Sequence, residues 1–284
     1  MNTNYQLSVD TGRLAIENGT ANPKWFRPDV DPHNIRNLMQ KSDAIAIRDT
    51  AIWLGMMIVS AGCAVALWPS VWSVPFWLVY GVLYGSAADS RWHECGHKTA
   101  FKTTWMNNAV YQLASFMIMR NPAIWQASHV RHHTDTIIVG RDPEIVAMRP
   151  PDLARIALAF VGVVDVYIAF KRMILHASGR IDPEEATYVA AKDHAKVFRV
   201  ARIWLFIYGC TIAAAILMTS LLPLMLIGFP RLYGAWHHVL TGLLQHVGLA
   251  ENVSDHRLNT RTVLMNPVSR FIYLNITFTA NVCS

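Results

Sequence analysis

Two pairs of long apolar stretches dominate this 284-residue chain and restrict it to a helical membrane fold. Stretches 51–68 and 71–88 are parted only by Pro69 and Ser70, and 203–219 is followed closely by 223–244. Each approaches the roughly 20 residues that a helix needs to cross a bilayer. Hydrophobic residues make up 53% of the chain and charged residues 15%, against about 25% charged in soluble domains. The expected fold is all-α and integral to the membrane: two transmembrane hairpins, giving four spans, and a helical cap. Arg231, His237 and His238 interrupt the fourth stretch, so its second half is expected to face protein or water.

Charge sets the expected orientation. The hairpin tips near Pro69 and Pro223 carry no Lys or Arg, while the segments around them carry nearly all 25. The positive-inside rule then puts the N-terminal segment 1–50, the central segment and the C-terminus on the cytoplasmic side of the membrane. No cleavable signal peptide is expected. The central segment 89–202 is too polar to span as a whole. Within it, 109–119 is apolar but short, and is read as re-entrant, interfacial or buried. The stretch 153–175 holds Arg155, Asp165, Lys171 and Arg172 and is read as an interfacial amphipathic helix, not a fifth span. Asp182-Pro183-Glu184-Glu185 reads as a helix start. Trp68, Trp72 and Trp77 read as outer interfacial anchors. The four cysteines have neither disulfide nor zinc-ribbon spacing and are expected to be reduced thiols. A net charge of +6 without a recognition motif indicates a basic cytoplasmic face and no nucleic-acid partner.

Five of the 12 histidines fall in two clusters, His93-Glu94-Cys95-Gly96-His97 and His129-Val130-Arg131-His132-His133. Imidazole suits Zn, Cu, Fe and Ni. On a helix, residues three or four apart share a face, so each cluster can present several rings to one point. Two such faces set against each other can hold more than one ion, so the cytoplasmic helical cap is expected to be metal-binding. Cys95 lies two residues from each histidine, on another face, and is not taken as a ligand. Read alone, the first cluster matches the H-E-x-x-H zinc-protease pattern, with Glu94 as base. The longer metzincin form fails at Ala100 and Thr103, and a single zinc needs only about three protein ligands.

Together, the two clusters after an apolar hairpin resemble the membrane fatty-acid desaturase and hydroxylase superfamily, over roughly residues 53–278. The stretch through Gln245-His246-Val247-Gly248 and Asp255-His256-Arg257-Leu258-Asn259 is similar to the bacterial desaturase-like branch that includes the rhizopine-catabolism hydrocarbon oxygenase, which implies a bacterial inner membrane. The resemblance implies a domain at 51–284 and a centre of two irons held by His93, His97, His129, His132, His133 and His246. It implies desaturation of a fatty acyl chain or related hydrocarbon with O2, and electrons from a separate ferredoxin or cytochrome. His256, His237, His238 and Glu94 are further metal or supporting candidates. Asp135, Asp142 and, less so, Asn275 are candidates for orienting ligands. His33, His176 and His194 read as ordinary surface histidines. The family's third box should follow Asn275-Ile276-Thr277-Phe278, where the chain reads Thr279-Ala280-Asn281-Val282-Cys283-Ser284. The expectation is a truncation or frameshift that removes the last ligands. Three other readings stay open: a hydroxylase of the same superfamily, an intramembrane zinc protease, and an inactive family member.

Overall fold

The computed structural model describes residues 5–20, 29, 31–145, 148–253, 255–261 and 264–272. Among these there is helix and no strand. Helix α1 (Val9–Glu17) starts at a reciprocal Ser8/Thr11 capping box, and α2 (Pro32–Leu38) follows. Helix α3 (Asp43–Ala66) covers the first apolar stretch. Helix α4 (Val74–Val82), a π-helical turn at Leu83–Ala87 and α5 (Ala88–Gly96) run on as one rod, so that Val71–Gly96 is long and apolar enough to cross a membrane. Asp43–Ala66 and Ala191–Leu217 also qualify.

The three rods differ in surroundings. Protein buries 56% of the apolar window in the second, but 17% and 28% in the first and third. The second is therefore the central column, and the other two show apolar side chains such as Ile58, Val59, Phe206 and Ile216 outward. Trp53 of α3 donates its indole N–H to the Leu83 carbonyl at 2.9 Å, which accounts for the polar end of a fully buried ring. Trp72 is exposed, as an interfacial anchor requires, but Trp77 packs inward against Trp68 and Tyr80.

Helices α6 (Thr104–Met117) and α7 (Pro122–Thr134) fold back beside α5. The segment read as re-entrant or buried is the inner part of α6, with Tyr111, Ala114 and Met117 buried. Helices α8 (Leu153–Phe160) and α9 (Val163–Ala177) meet at a bend of 84°, so neither arm is a straight span. At 182–185 no α-helix begins: Asp182 caps a turn through the Glu184 N–H, a short 3-10 turn follows at Glu185–Thr187, and α10 starts only at His194 and runs to Leu217.

The fourth expected span departs most. It is broken into α11 (Leu222–Leu226), α12 (Pro230–Gly234) and α13 (Trp236–His246), with Gly228 at φ +96° between the first two. Prolines 223 and 230 sit at helix starts, where a missing N–H does no harm. The break lets α12 lie directly on the π turn of the central rod. Ser86 Oγ donates to the Gly234 carbonyl at 2.6 Å and accepts from the His238 N–H at 3.0 Å, and fully buried Arg231 donates to the Gly85 carbonyl at 2.8 Å. Short helices α14 (His256–Asn259) and α15 (Pro267–Ile272) close the described chain.

Candidate metal centre

The histidines are placed by caps and by the ends of helices. Asn121 accepts from the Ala123 N–H at 3.1 Å with Pro122 next to it, and this fixes the start of α7 two turns before His129. Tyr111 of α6 donates to the Pro122 carbonyl at 2.6 Å, and Asn121 Nδ2 to the Val197 carbonyl of α10 at 3.1 Å. Opposite, Thr99 Oγ1 donates to the Glu94 carbonyl at 2.9 Å and closes the end of α5, where His93 and His97 sit.

One ring nitrogen from each of His93, His97, His129 and His133 lies within 4.8 Å of the others, and His97 is the most exposed of the four. His133 Nε2 is 2.9 Å from His129 Nε2 and 3.1 Å from His97 Nε2. One proton on His133 cannot serve both neighbours, whereas a cation among them serves all. Metal–imidazole bonds of about 2.1 Å place adjacent ligand nitrogens about 3 Å apart at right angles. The donor set and its spacing therefore fit a transition-metal ion. His132, on the same helix, points elsewhere: its ring lies 5.5 Å from that of His246 at the end of α13.

Acceptors behind the rings decide which nitrogen is offered. Glu144 Oε2 lies 2.8 Å from His129 Nδ1, both Asp142 oxygens lie 2.9 Å from His132 Nδ1, and the Asn259 carbonyl lies 2.8 Å from His246 Nδ1. These oxygens accept Nδ1–H and leave Nε2 facing forward, the arrangement usual behind metal-bound histidines. Glu94 bonds His93 Nδ1 at 3.1 Å and receives Thr99 Oγ1 at 2.7 Å, so it too is spent on orientation. Asp135 does not orient a histidine; Arg141 holds it at 2.9 Å and Arg131 at 3.7 Å. His238 pairs with Asp89 at 3.0 Å, His237 packs on Trp236, and His256 is buried in α14 outside the four-ring group. Asn275 and the segment 279–284 lie outside the described residues.

Sequence reasoning missed Glu144, whose only signal is its place in Asp142-Pro143-Glu144 just after the second cluster. It missed Trp125, one turn before His129, whose ring stacks on that imidazole at 4.2 Å. It also misplaced His176, which is 3% exposed and bonded to buried Glu185 at 2.6 Å.

Burial, followed by the neighbouring imidazoles, holds His129 well below the usual histidine range, pushes His133 down to about 2, and takes His246 down to about 4. For His132, burial acts downward, but Asp142 outweighs it and raises the group to about 9. The metal-free protein should thus lose stability on both sides of neutrality. Below about pH 6.5 the unfolded chain binds protons that folded His129, His133 and His246 refuse. Stabilisation from protonated His132 is complete below about pH 6.5 and disappears as pH rises through about 9. Thermal unfolding of the metal-free protein from pH 4 to 10 should show both declines, and a flat profile would contradict the assignment.

The four rings and His132 and His246 border one cavity of about 680 Å³, His97 excepted. A chain whose described residues form helices, three of them long and apolar enough to cross a membrane, with an imidazole cluster beside a large cavity, is an integral membrane protein built around a metal-competent site. The fatty acid desaturase family model matches residues 68–279, and the chain belongs to that family. Among curated proteins, it is 31% identical over 126 residues to a bifunctional fatty acid conjugase/Delta(12)-oleate desaturase of Punica granatum, covering 43% of this chain and 31% of that protein. It is 27% identical over 124 residues to an omega-6 fatty acid desaturase, endoplasmic reticulum isozyme 1, of Glycine max, again covering 43% and 31%. The match thus spans about a third of the length of these relatives.

Proposed function

We propose that this chain is a membrane-bound non-haem di-iron oxidoreductase that desaturates a fatty acyl chain or related hydrocarbon. The observation that carries this reading is the convergence of His93, His97, His129 and His133, three of which line a cavity large enough for a substrate, in a chain of this family. Iron bound here would supply O2 activation and the oxidant for a C–H bond. The chain supplies the rest. Glu144, Asp142 and the Asn259 carbonyl accept Nδ1–H of His129, His132 and His246 and so aim Nε2 of each forward, where a bound metal would take the place of a proton. His132 and His246 are the pair left for a second ion. Trp125 covers one face of His129 and keeps water from it. Ile118, Met119, Ile124 and Met173 offer an apolar wall for an alkyl segment. A hydroxylase would use the same parts and differ only in the fate of the oxidised carbon.

The zinc-protease reading needs Glu94 as a base facing the reaction, and its carboxylate is instead committed to His93 Nδ1 and Thr99. The histidine end lies on the cytoplasmic side in this reading, and reporters fused near Ser70 and near Lys192 should report opposite sides of the membrane. In this reading, electrons come from a ferredoxin or cytochrome. Of Lys98, Lys102, Arg120, Arg131 and Arg141 around the clusters, only the two lysines are exposed. A salt-sensitive docking of an acidic carrier would therefore fall on Lys98 and Lys102.

The deciding experiment is metal analysis of the purified chain, with product analysis by mass spectrometry after adding a ferredoxin, its reductase and acyl lipid. About two irons per chain and an unsaturated product support the reading. One zinc per chain moves it to a hydrolase, and little bound metal marks an inactive family member.

A further inference from the structure

Part of the cavity wall is charged in a way that an alkyl chain does not require. The turn at Glu185–Thr187 lies against α7, held by Arg131 Nη1 donating to the Thr187 carbonyl at 2.9 Å. From it, Glu185 reaches into the core with 1% exposure and pairs with His176 Nε2 at 2.6 Å. Arg172 donates to Glu184 at 2.7 Å and stands 3.6 Å from Glu185 Oε1, beyond hydrogen-bond distance. Glu184, Glu185, His176, Arg172 and Tyr188 all line the same cavity as the histidine cluster. One guanidinium thus stands between two carboxylates, and burying such a group is costly without a partner. Among the described residues, Glu185 Oε1 and His176 Nδ1 have no hydrogen-bond partner.

Four of the five arginines of the lining are engaged, Arg120 standing 3.7 Å from Asp89, while exposed Arg155 has no side-chain partner among the described residues. Arg172 is held by Glu184; Arg231 by the Gly85 carbonyl, with Asp165 at 3.8 Å; and Arg261 by the carbonyls of Leu244 and Val247. Acidic side chains outnumber arginines around the cavity, and no lysine lines it. At the seat itself, Glu184 and Glu185 set two carboxylates against the one guanidinium of Arg172, a local balance that repels a carboxylate and attracts a donor.

Resting on the reading that this cavity is the oxidoreductase's substrate site, we propose that the substrate enters with a hydrogen-bond-donating head, an amine or hydroxyl. The head seats on Glu185 and His176. The alkyl body lies along Met119, Ile168, Met173 and Trp204, and a free carboxylate is disfavoured at this seat.

The test uses the whole chain in zwitterionic phosphatidylcholine nanodiscs at pH 8, with empty discs subtracted. Tryptophan fluorescence is titrated with hexylamine, 1-hexanol and hexanoate, which share one alkyl length. The amine and alcohol should bind at least about tenfold more tightly than hexanoate. Glu185→Gln keeps a partner for His176 and should cut the hexylamine advantage about tenfold while metal content stays unchanged. Hexanoate binding as tightly as the amine and alcohol overturns the proposal. So does an inserted, metal-loaded Glu185→Gln protein with unaltered ratios. Where that variant fails to insert, the wild-type series decides alone. Loss of iron with retained head-group preference would count against the oxidoreductase reading and not against this one.

Discussion

Replacing His129 or His133 with Ala should lower bound metal at least about tenfold, because each removes one nitrogen from a group whose members approach within 4.8 Å. His133 is the most informative position, since its Nε2 touches both His97 and His129. Glu144→Gln probes the same centre from behind. The carboxylate that accepts His129 Nδ1–H at 2.8 Å also accepts from Ser128 Oγ at 2.7 Å, and the amide retains one of these roles. Loss of such a supporting partner commonly weakens metal affinity or activity about 10–100-fold. Metal is measured by plasma mass spectrometry on protein that remains monodisperse. Full loading in His129→Ala and His133→Ala would remove the assignment of this cluster as a metal centre.

Gly234→Ala should be the most damaging small substitution in the chain. A Cβ there would lie 1.8 Å from the Gly81 carbonyl oxygen and 2.1 Å from its carbon. Those are backbone atoms of the central rod and cannot swing aside. Overpacking typically costs about 1–3 kcal/mol, and a clash of backbone against backbone belongs at or above the top of that range. The consequence reaches the site, because the same contact seats Ser86 on the Gly234 carbonyl and on the His238 N–H. Gly62→Ala is the control: nothing lies within 4 Å of its Cβ, and it sits inside α3. There, Ala should be neutral or stabilising by about 0.5–1 kcal/mol. Thermal unfolding in detergent compares the two, and equal midpoints would refute the close-contact argument.

These two predictions mark where the sequence was legible and where it was not. The first three spans were readable because apolar length is a local property, and α3 and Val71–Gly96 lie close to the expected stretches. Histidine spacing likewise announced which rings share a helix face. The fourth span was misread because hydropathy ignores the break at Gly228, with φ +96°, and also Pro230 and the small residue Gly234, whose purpose is visible only once Gly81 and Gly85 lie opposite them. His176 was misread because its burial depends on Glu185, a residue that no helical periodicity links to it.

By itself, the sequence determined the membrane class, the helical architecture and the two histidine clusters, since length, hydropathy and three- and four-residue spacing are set by covalent order alone. Tertiary structure alone decided that His132 turns from the four-ring group toward His246, and that Glu144, Asp142 and the Asn259 carbonyl stand behind the rings. It also decided that charged side chains and imidazoles share one cavity. The physical reason is that each of these depends on where separate helices end relative to one another. That is fixed by close packing at a few glycines and by buried hydrogen bonds between distant segments, which spacing along the chain does not encode.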